Sequence, residues 1–595
     1  MKNFHYSHTN MKAMFLNAFI TTIIIEFSCV GAGLLDGIIV TKMLGAIDMA
    51  ATGIAYPFFS YAGVISGVLS IGMQNIIGAN LARGKIKEAQ EAFSIATITA
   101  LISSALFTII ILRYSDQLAF LLGARDKAAN LLNGTSDYLY GLSFGCIPLI
   151  LNVVLACAVQ MDSGSKKVQI GALVSSIADV VLDIVAVKLG LGLFGIGLAS
   201  GISYFINFAI LLSHFWGDDY SLKLHISHLP WKKLKQMTLL GSQKATYRLL
   251  NTIRPIILNA IIISAGGSLG MAALAIHNNV LSFLEIPMTG ISSAIALLTG
   301  VAYGEKNLED VKEIGAIARK YTIVYSIIVG ILICVFAKPI ATFYVQDMDA
   351  LKPLVTFALY CLACSLFCST LVKNRISYLQ AIHQIKQCQT MTLLNRFVVV
   401  ILCALIFVNL WGSHGVIISF ALKDIFICLG CLFFYVFKGY RNNKSFFPKE
   451  KDYLLLSHEF YPNPENIIEL KVKNMEEASL TIEQLMLFCK GHKFDSRKTY
   501  RAVLCLEEVL INSIQYGMKF KTNANPIDVR VHITNGDIII KIRDYFQKFD
   551  IKQRINLIKN NLEDFSNIGI KLVAKTAKEI SYVNMLKTNN VIIRI

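Results

Sequence analysis

Three aspartates lie inside apolar stretches of the sequence, where a carboxylate can bind a cation or a proton. Asp36 lies near the end of the first stretch, and Asp179 and Asp183 share a later one. Residues four apart lie on one face of a helix, so Asp179 and Asp183 are expected to point the same way. An ionised carboxylate at the centre of a membrane helix costs about 2.5–3.5 kcal/mol. We therefore expect these acids to share protons, to pair, or to hold a hard cation such as Na⁺.

A second set of charged residues lies in other apolar stretches. Lys244 and Arg248 are four apart, Arg254 follows, and Glu285 lies in the next stretch. Because a buried cation needs a partner, we expect an ion pair from Glu285 to Lys244 or Arg248. The alternative is that the cations line a substrate cavity and favour acidic substrates. Glu26 has the same two interpretations, as a partner of a substrate cation or as a member of a packing ion pair.

The composition indicates that these charges belong to a membrane protein. Of the 595 residues, 55% are hydrophobic and only 16% are charged, against about 25% charged in soluble proteins. This excludes an average soluble enzyme and a disordered chain. The net charge of +17 favours an anionic lipid surface over nucleic acid as a partner, since the sequence shows no nucleic-acid-binding motif.

Apolar segments of 18 or more residues, each long enough to cross a bilayer, predict twelve transmembrane helices. They lie near 14–40, 52–77, 93–112, 136–160, 168–188, 192–214, 237–264, 271–298, 320–342, 353–372, 390–409 and 414–437. Lys and Arg are about twice as frequent in the connections that face the side of the N-terminus. By the positive-inside rule, we expect a multi-pass protein of the cell membrane with both termini in the cytoplasm.

The last part of the chain has a different composition. Residues 439–454 form a basic juxtamembrane linker, and residues 455–595 alternate strand patterns such as DVRVHIT with amphipathic helical patterns. We expect a cytoplasmic α/β domain with a mixed sheet and helices on one face.

The membrane part contains an internal repeat at a spacing of about 220 residues. LGAIDMAATGIAYPFF is echoed by LGMAALAIHNNVLSFL, and GANLARGKIKEAQEA by GVAYGEKNLEDVKEI. Two six-helix lobes, 1–222 and 223–438, are therefore expected. A parallel repeat of this kind is typical of transporters whose binding site lies between the halves.

These residues carry a family resemblance over about 10–440. LDGIIVTKMLGAIDMAATGIAYP at 35–57 and SSIADVVLDIVAVKLGLGLFGIGLAS at 175–200 resemble the multidrug and toxic compound extrusion (MATE) family, most nearly its DinF-like members. The resemblance implies alternating access and efflux of amphiphilic compounds driven by H⁺ or Na⁺. It also implies a cation site in the first lobe, formed by Asp36, Asp179, Asp183 and Ser200. The extra carboxylate of Asp179, where many relatives have Asn, leaves the coupling ion open.

The C-terminal domain carries a second resemblance. CLEEVLINSIQYG at 505–517 resembles the N-box of histidine-kinase-like (GHKL) ATPases, most nearly the anti-sigma-factor serine kinases. The resemblance implies that Glu508 is a candidate base and that Asn512 supplies an oxygen to Mg²⁺. It implies adenine binding at Asp544 in RDYFQKFD, and it matches Gly569 in NIGIKLV to the last box. Three positions where the family has glycine depart from the pattern, and they hold Phe546, Lys548 and Asn567.

The sequence therefore predicts an antiporter that exports amphiphilic small molecules in exchange for H⁺ or Na⁺, with a regulatory tail. ATP with Mg²⁺ and a regulatory protein are candidate ligands of that tail. Two alternatives stay open at this point. One is a flippase of lipid-linked precursors, which the same superfamily contains and which the cations at 244, 248 and 254 favour. The other is a membrane receptor with a signalling serine-kinase tail, against which the lost glycines count.

Overall fold

The computed structural model describes most of the chain. The described residues are 9–122, 124, 131–216, 220–225, 231–345, 351–444, 446–457, 460–461, 464–517, 526–534, 536–546 and 568–595. Lys548 and Asn567, two of the positions that depart from the GHKL glycine pattern, lie outside these residues.

Long apolar helices make up the first half of the membrane part. They are α1 (Thr9–Ile39), α2 (Ala46–Leu81), α3 (Ile86–Leu122), α4 (Leu131–Ser143), α5 (Cys146–Met161), α6 (Ser165–Lys188) and α7 (Gly192–Leu212). The pair α4 and α5 bends by 54° at its break.

The second half continues with longer helical runs. They are α8 (Trp231–Gly304), α9 (Leu308–Tyr344), α10 (Lys352–Ala381), α11 (Ile385–Leu393) and α12 (Val399–Asn443). A π-helical turn, Leu394–Val398, joins α11 to α12.

Two of these runs fold back on themselves. A Cβ on Gly270 would lie 3.1 Å from Ile262 Cγ1, whereas residues eight apart in a straight helix are separated by about 12 Å. A Cβ on Gly415 would likewise overlap the Phe407 carbonyl. Gly412 between them has a φ of 54°, which favours glycine. Each of α8 and α12 therefore contains a reversal.

In the described part of the chain, nine helices are long and apolar enough to cross a membrane, or ten if the bent pair α4 and α5 is one span. The first part of α8, which carries Lys244, Arg248 and Arg254, is not among them. The polytopic helical fold is confirmed, while the count of twelve stays a prediction.

The two halves pack together at one end of the bundle. The largest hydrophobic core contains Met73 from α2 and Leu298 from α8, and it also contains Met585 of the C-terminal domain. Two other described cores, around Leu139 and around Leu359, each draw on one half. We call the end that carries the C-terminal domain the inner end.

Small residues allow α2 and α8 to approach closely near the inner end. A Cβ on Gly72 would overlap the Met237 carbonyl, and a Cβ on Gly241 would overlap the carbonyl of Val68. Only glycine fits such a backbone contact, which is a common way for membrane helices to associate. Without a substantial shift, these positions exclude any larger residue.

The C-terminal part begins with α13 (Glu450–Leu454) and then forms a domain of helices and strands. The helices are α14 (Met475–Gly491), α15 (Ser496–Asn512) and α16 (Ile568–Thr576). The strands are β1 (Ile467–Val472), β2 (Ile527–Thr534), β3 (Asp537–Asp544), β4 (Glu579–Met585) and β5 (Thr588–Arg594). Their order is β1-β2-β3-β5-β4.

Every pair of neighbouring strands in this sheet is antiparallel. The expectation of a mixed sheet is therefore wrong. The sequence pattern indicates strands but not their direction, because both arrangements have the same side-chain period of two.

The two faces of the sheet have different partners. On one face, Val529 and Ile540 pack with Leu506 of α15 in the domain core. On the other face, the alternating polar residues Lys541 and Arg543 point towards the membrane helices. The described helices of the domain pack on the first face, as the sequence predicts.

Candidate functional site

The three predicted aspartates come together in the first half of the membrane part. Asp36 lies late in α1, and Asp179 and Asp183 lie on α6, where they are 7% and 0% exposed. The carboxyl groups are close enough to interact electrostatically. Buried oxygens of all three carboxyls lack a hydrogen-bond partner among the described residues, including both oxygens of Asp183.

Ser200 of α7 completes the predicted set. It is 5% exposed, and with Ser203 it lies beside the Asp179 carboxyl. Two tyrosines, Tyr138 and Tyr204, also lie within electrostatic range of the acids. Sequence reasoning missed both tyrosines, because an aromatic residue in an apolar helix has the pattern of a packing residue.

The chemistry of this acidic cluster is cation binding. Buried carboxylate oxygens without donors can accept protons or contribute oxygen ligands to a hard cation. The described residues contain no group of three or more His, Cys, Asp or Glu side chains arranged to hold a metal ion. A bound Na⁺ would therefore need oxygens beyond the carboxylates, for which Ser200 is placed.

In the second half, Glu285 pairs with a different residue from those expected. Arg396 Nη2 lies 3.6 Å from Glu285 Oε1, and the two side chains are 13% and 31% exposed. The prediction of a pair with Lys244 or Arg248 is therefore wrong. Arg396 lies in the π-helical turn between α11 and α12, which brings it to α8.

Further buried charges surround this pair. Lys423 Nζ donates to Asp424 Oδ2 at 2.8 Å, and Asn395 Nδ2 donates to Asp424 Oδ1 at 2.7 Å. Lys373 Nζ donates to Thr289 Oγ1 at 2.7 Å. Sequence reasoning missed Lys423 and Asp424, although each is a charge inside an apolar segment and carries the same signal as the aspartates.

Lys244 and Arg248 lie where the two halves meet. A Cβ on Gly67 of α2 would lie 2.7 Å from Lys244 Cγ, and one on Gly63 would lie 3.1 Å from Arg248 Cζ. Neither cation has a carboxylate within 4.0 Å among the described residues. Glu26 of α1 is half-buried and lies within electrostatic range of Lys244. Both interpretations of Glu26 stay predictions.

The candidate nucleotide residues lie in the C-terminal domain. Glu508 and Asn512 are half-buried on α15, and Gly569 is the second residue of α16. Asp544, at the end of β3, is 6% exposed. Burial raises the pKa of its carboxyl, although its hydrogen bond with Asn589 acts in the opposite direction.

Internal bonds already engage the Asp544 side chain. Its Oδ1 accepts from Asn589 Nδ2 at 2.7 Å and from the Phe546 amide at 3.1 Å. Phe546 packs against the core of the domain. These residues therefore fit ATP only in part, because Asp544 must exchange partners to bind adenine. That Asn512 supplies an oxygen to Mg²⁺ stays a prediction.

An ion-pair network joins the C-terminal domain to the second half of the membrane part. Arg543 Nη2 donates to both carboxylate oxygens of Glu305 at 2.7 and 2.8 Å, and its Nη1 donates to Asp310 at 3.2 Å. Lys541 Nζ lies 3.6 Å from Glu305. Burial alone would raise the pKa of Glu305, but Arg543 and Lys541 more than offset it, and the pKa is lowered.

The same domain also contacts the first half. The Lys587 amide donates to Ser163 Oγ at 2.8 Å, and its Nζ donates to Asn17 Oδ1 at 2.9 Å. The Leu586 amide donates to the Met161 carbonyl at 3.2 Å. The turn between β4 and β5 therefore docks beside the α5–α6 connection.

The linker docks as well. Tyr378 donates to the Leu454 carbonyl at 2.8 Å, and Gln384 donates to that of Leu455 at 3.0 Å. These contacts tie the start of the C-terminal part to α10 and to the turn that follows it.

Comparisons with known proteins agree with this architecture. The MatE family model matches residues 22–185 and 246–406, which is more than half of the chain. The chain belongs to the MATE family. The model of the histidine kinase-like ATPase domain matches residues 468–595. Both predicted resemblances are confirmed.

The chain is distantly similar in sequence to a bacterial multidrug resistance protein. The probable multidrug resistance protein NorM of Halalkalibacterium halodurans is 24% identical over 236 residues, which are 38% of this chain and 51% of that protein. The aligned part thus spans about half of that relative.

Solved MATE structures share the fold. An outward-facing multidrug resistance MATE transporter of the MOP superfamily has a TM-score of 0.66 at 22% identity, covering 71% of this chain and 94% of that one. A MOP superfamily transporter from Pyrococcus furiosus, described with "reverse polarity of binding pocket suggests different function", has a TM-score of 0.65 at 23% identity with the same coverage.

Proposed function

We propose that this MATE-family protein is a secondary active antiporter that exports amphiphilic organic compounds in exchange for H⁺ or Na⁺. We place it in the cell membrane with both termini in the cytoplasm, so that the inner end is cytoplasmic. The observation that carries the proposal is the acidic cluster of Asp36, Asp179 and Asp183, whose buried oxygens lack donors. Such a site favours cation entry.

The packing of the halves suggests how transport proceeds. The described core that both halves share lies at the inner end, which corresponds to an outward-open state. Loading the acidic cluster with a cation removes buried negative charge and changes the stability of the first lobe. Release of that cation to the cytoplasm then requires the α2–α8 contact at Gly72 and Gly241 to open.

The test is gradient-driven dye export from proteoliposomes that contain the full chain, under imposed H⁺ and then Na⁺ gradients. Asp36→Asn and Asp183→Asn keep the side-chain size and remove the charge, so export should fall at least about tenfold. Asp48→Asn, a matched change at the first turn of α2, should leave export unchanged. Normal export in both cluster variants would refute the proposal.

We further propose that the C-terminal domain regulates transport. The supporting observation is that it contacts both halves at the inner end, through Arg543 on one side and Lys587 on the other. A domain that bridges both halves stabilises the inner-closed state, because opening that end would break one set of contacts. Arg543→Ala should therefore change the export rate while the membrane part stays folded. An unchanged export rate would contradict the proposal that the C-terminal domain regulates transport.

A lipid-linked precursor flippase is a second candidate. The observation that favours it is the set of cations without carboxylate partners at Lys244 and Arg248. Movement of an anionic lipid without any ion gradient would favour it over the antiporter.

A further inference from the structure

The second half of the membrane part holds more half-buried or buried cations than carboxylates. Its cluster, with the neighbouring Glu26, contains six cations and three acids in the described chain, namely Lys244, Arg248, Arg254, Lys373, Arg396 and Lys423 against Glu26, Glu285 and Asp424. We call it the basic cluster.

The contacts inside the basic cluster account for three of its six cations. Arg396 pairs with Glu285, Lys423 pairs with Asp424, and Lys373 donates to Thr289 Oγ1. Lys244, Arg248 and Arg254 have no carboxylate within 4.0 Å among the described residues. The Nε atoms of Arg248 and Arg254 are buried without a hydrogen-bond acceptor.

These three cations share one side of α8. Successive residues of a helix turn by 100°, so positions 244, 248 and 254 fall within about 120° of arc. Arg248 faces Gly63 of α2, at the edge of the contact between the halves. Arg254 lies about nine ångströms further along the helix axis from Arg248, away from the inner end.

The two lobes therefore carry opposite charges in corresponding helices. In the first half, the acids lie on α1 and α6, and Ser200 lies beside them on α7. In the second half, the cations lie on the start of α8, on the turn after α11 and on α12. The internal repeat relates these positions.

We infer that the basic cluster binds the negatively charged head group of the transported compound, with Arg248 and Arg254 as its contacts. The ligand is an amphiphile with a carboxylate, sulfonate or phosphate head, because the planar guanidinium donates two parallel bonds to such groups. This inference rests on the proposed transport function and specifies its substrate class. A cationic amphiphile would meet three unpaired positive charges at this place.

The experiment uses two xanthene dyes of similar size and opposite charge, fluorescein and rhodamine 123. Their binding to the purified full chain is measured by fluorescence anisotropy in detergent, without any gradient. Arg248→Gln and Arg254→Gln should each weaken fluorescein binding at least about tenfold. Neither should weaken rhodamine 123 binding, since each removes a repelling charge. Arg254→Lys keeps the charge but loses the two parallel bonds of the guanidinium, so it should recover only part of the fluorescein affinity.

Arg113→Gln, at an exposed arginine of α3, is the matched control and should change neither affinity. A melting curve of each variant separates lost binding from lost folding. Fluorescein affinity that is unchanged in folded Arg248→Gln and Arg254→Gln, or preferred binding of rhodamine 123, would overturn the inference.

Transport then separates the two sources of an anionic head. Export of fluorescein from phosphatidylcholine vesicles supports a soluble amphiphile, and movement of fluorescently labelled phosphatidylglycerol supports a lipid head group. If neither moves under any gradient while the arginine-dependent binding persists, the transport function fails and the anion site stands. If rhodamine 123 alone is exported, transport stands and the anion site fails.

Discussion

The Glu285–Arg396 ion pair is the contact in the basic cluster whose removal should have the clearest effect on the stability of the protein. Arg396 also lies over the Tyr247 ring, at 4.4 Å from its centroid. The guanidinium is therefore held by a carboxylate and by an aromatic face together. Loss of the Glu285 carboxylate leaves the Arg396 guanidinium with the aromatic ring but without its ion-pair partner.

Glu285→Gln should lower the stability of the protein. A fully buried pair costs about 3–5 kcal/mol when one member is removed, and the partial exposure of Glu285 reduces this to roughly 1–3 kcal/mol. Adding Arg396→Gln should recover part of the loss, since the two residues are coupled. Adding Lys244→Met should not. Thermal melting of the four proteins checks this, and recovery by Lys244→Met alone would show that the pairing is misassigned.

The same residues show how far the sequence predicts the site. Asp36, Asp179 and Asp183 are found from sequence because a charge in an apolar helix is costly wherever its neighbours lie. That rule also applies to Arg396, Lys423 and Asp424, which were overlooked. The partner of Glu285 is not predictable from one sequence, because it depends on how the helix after α11 rotates against α8.

At the scale of elements, β2 and β3 present polar side chains on alternate positions to the membrane helices. From sequence, this alternation is typical of a strand with one solvated face. In the structure, this face of the sheet is covered instead, as the burial of His532 on β2 shows. Burial, with Lys541 and Arg530 nearby and Glu305 acting in the opposite direction, lowers the pKa of His532 to about 4.

Docking of the C-terminal domain should therefore weaken in mild acid. Exposed histidine has a pKa of about 6.5. Between pH 6.5 and 4, His532 is therefore protonated in the undocked domain but neutral in the docked domain. The free energy of docking is therefore weakened by roughly 1–2 kcal/mol at pH 5. Hydrogen exchange of β2 and β3 in the full chain, corrected for intrinsic rates, should rise from pH 7 to pH 5.

His532→Gln should remove most of this pH dependence. His492→Gln, at a histidine that follows α14 and bonds to Phe488 and Asn466, should keep it. The Glu305–Arg543 pair does not contribute in this range. The pKa of Glu305 is lowered, so its stabilisation is present above about pH 4.5 and is lost only as the pH falls further. Equal pH dependence in both variants would contradict the assignment to His532.

Nucleotide binding to the C-terminal domain should be weak. Asp544 is bonded to Asn589, and Phe546 occupies a position where glycine is expected. Calorimetry on the full chain with Mg²⁺ and ATP should give a Kd above about 100 μM, which corresponds to a binding free energy weaker than about 5.5 kcal/mol. Phe546→Gly should tighten binding and Asn512→Ala should abolish it. Submicromolar affinity would instead support a signalling kinase.

At the scale of the whole molecule, the C-terminal domain bridges the two halves of the membrane part, which the proposed transport cycle moves apart. The hydropathy pattern separates this domain from the membrane part, and the motif at 505–517 predicts its fold, which the family model confirms. The sequence does not predict that the domain bridges the two halves, because Arg543 and Lys587 look like ordinary surface residues when the domain is considered alone. Their partners, Glu305 and Asn17, are almost 300 residues apart in the sequence.

A charge exchange across this bridge tests its effect on the lobes. Arg543→Glu places a carboxylate against Glu305 and Asp310, and loss of a buried pair of this kind costs about 3–5 kcal/mol. The domain should then undock, and the inner-end contact of α2 with α8 should open more often. Hydrogen exchange should therefore rise at 63–81 and 237–248, where the glycine contacts lie, and the export rate should change with it. Adding Glu305→Lys restores an ion pair in the reversed sense and should return both quantities towards the wild-type values. If exchange at 63–81 stays unchanged while β3 becomes exposed, the domain docks on the transporter without holding its lobes together.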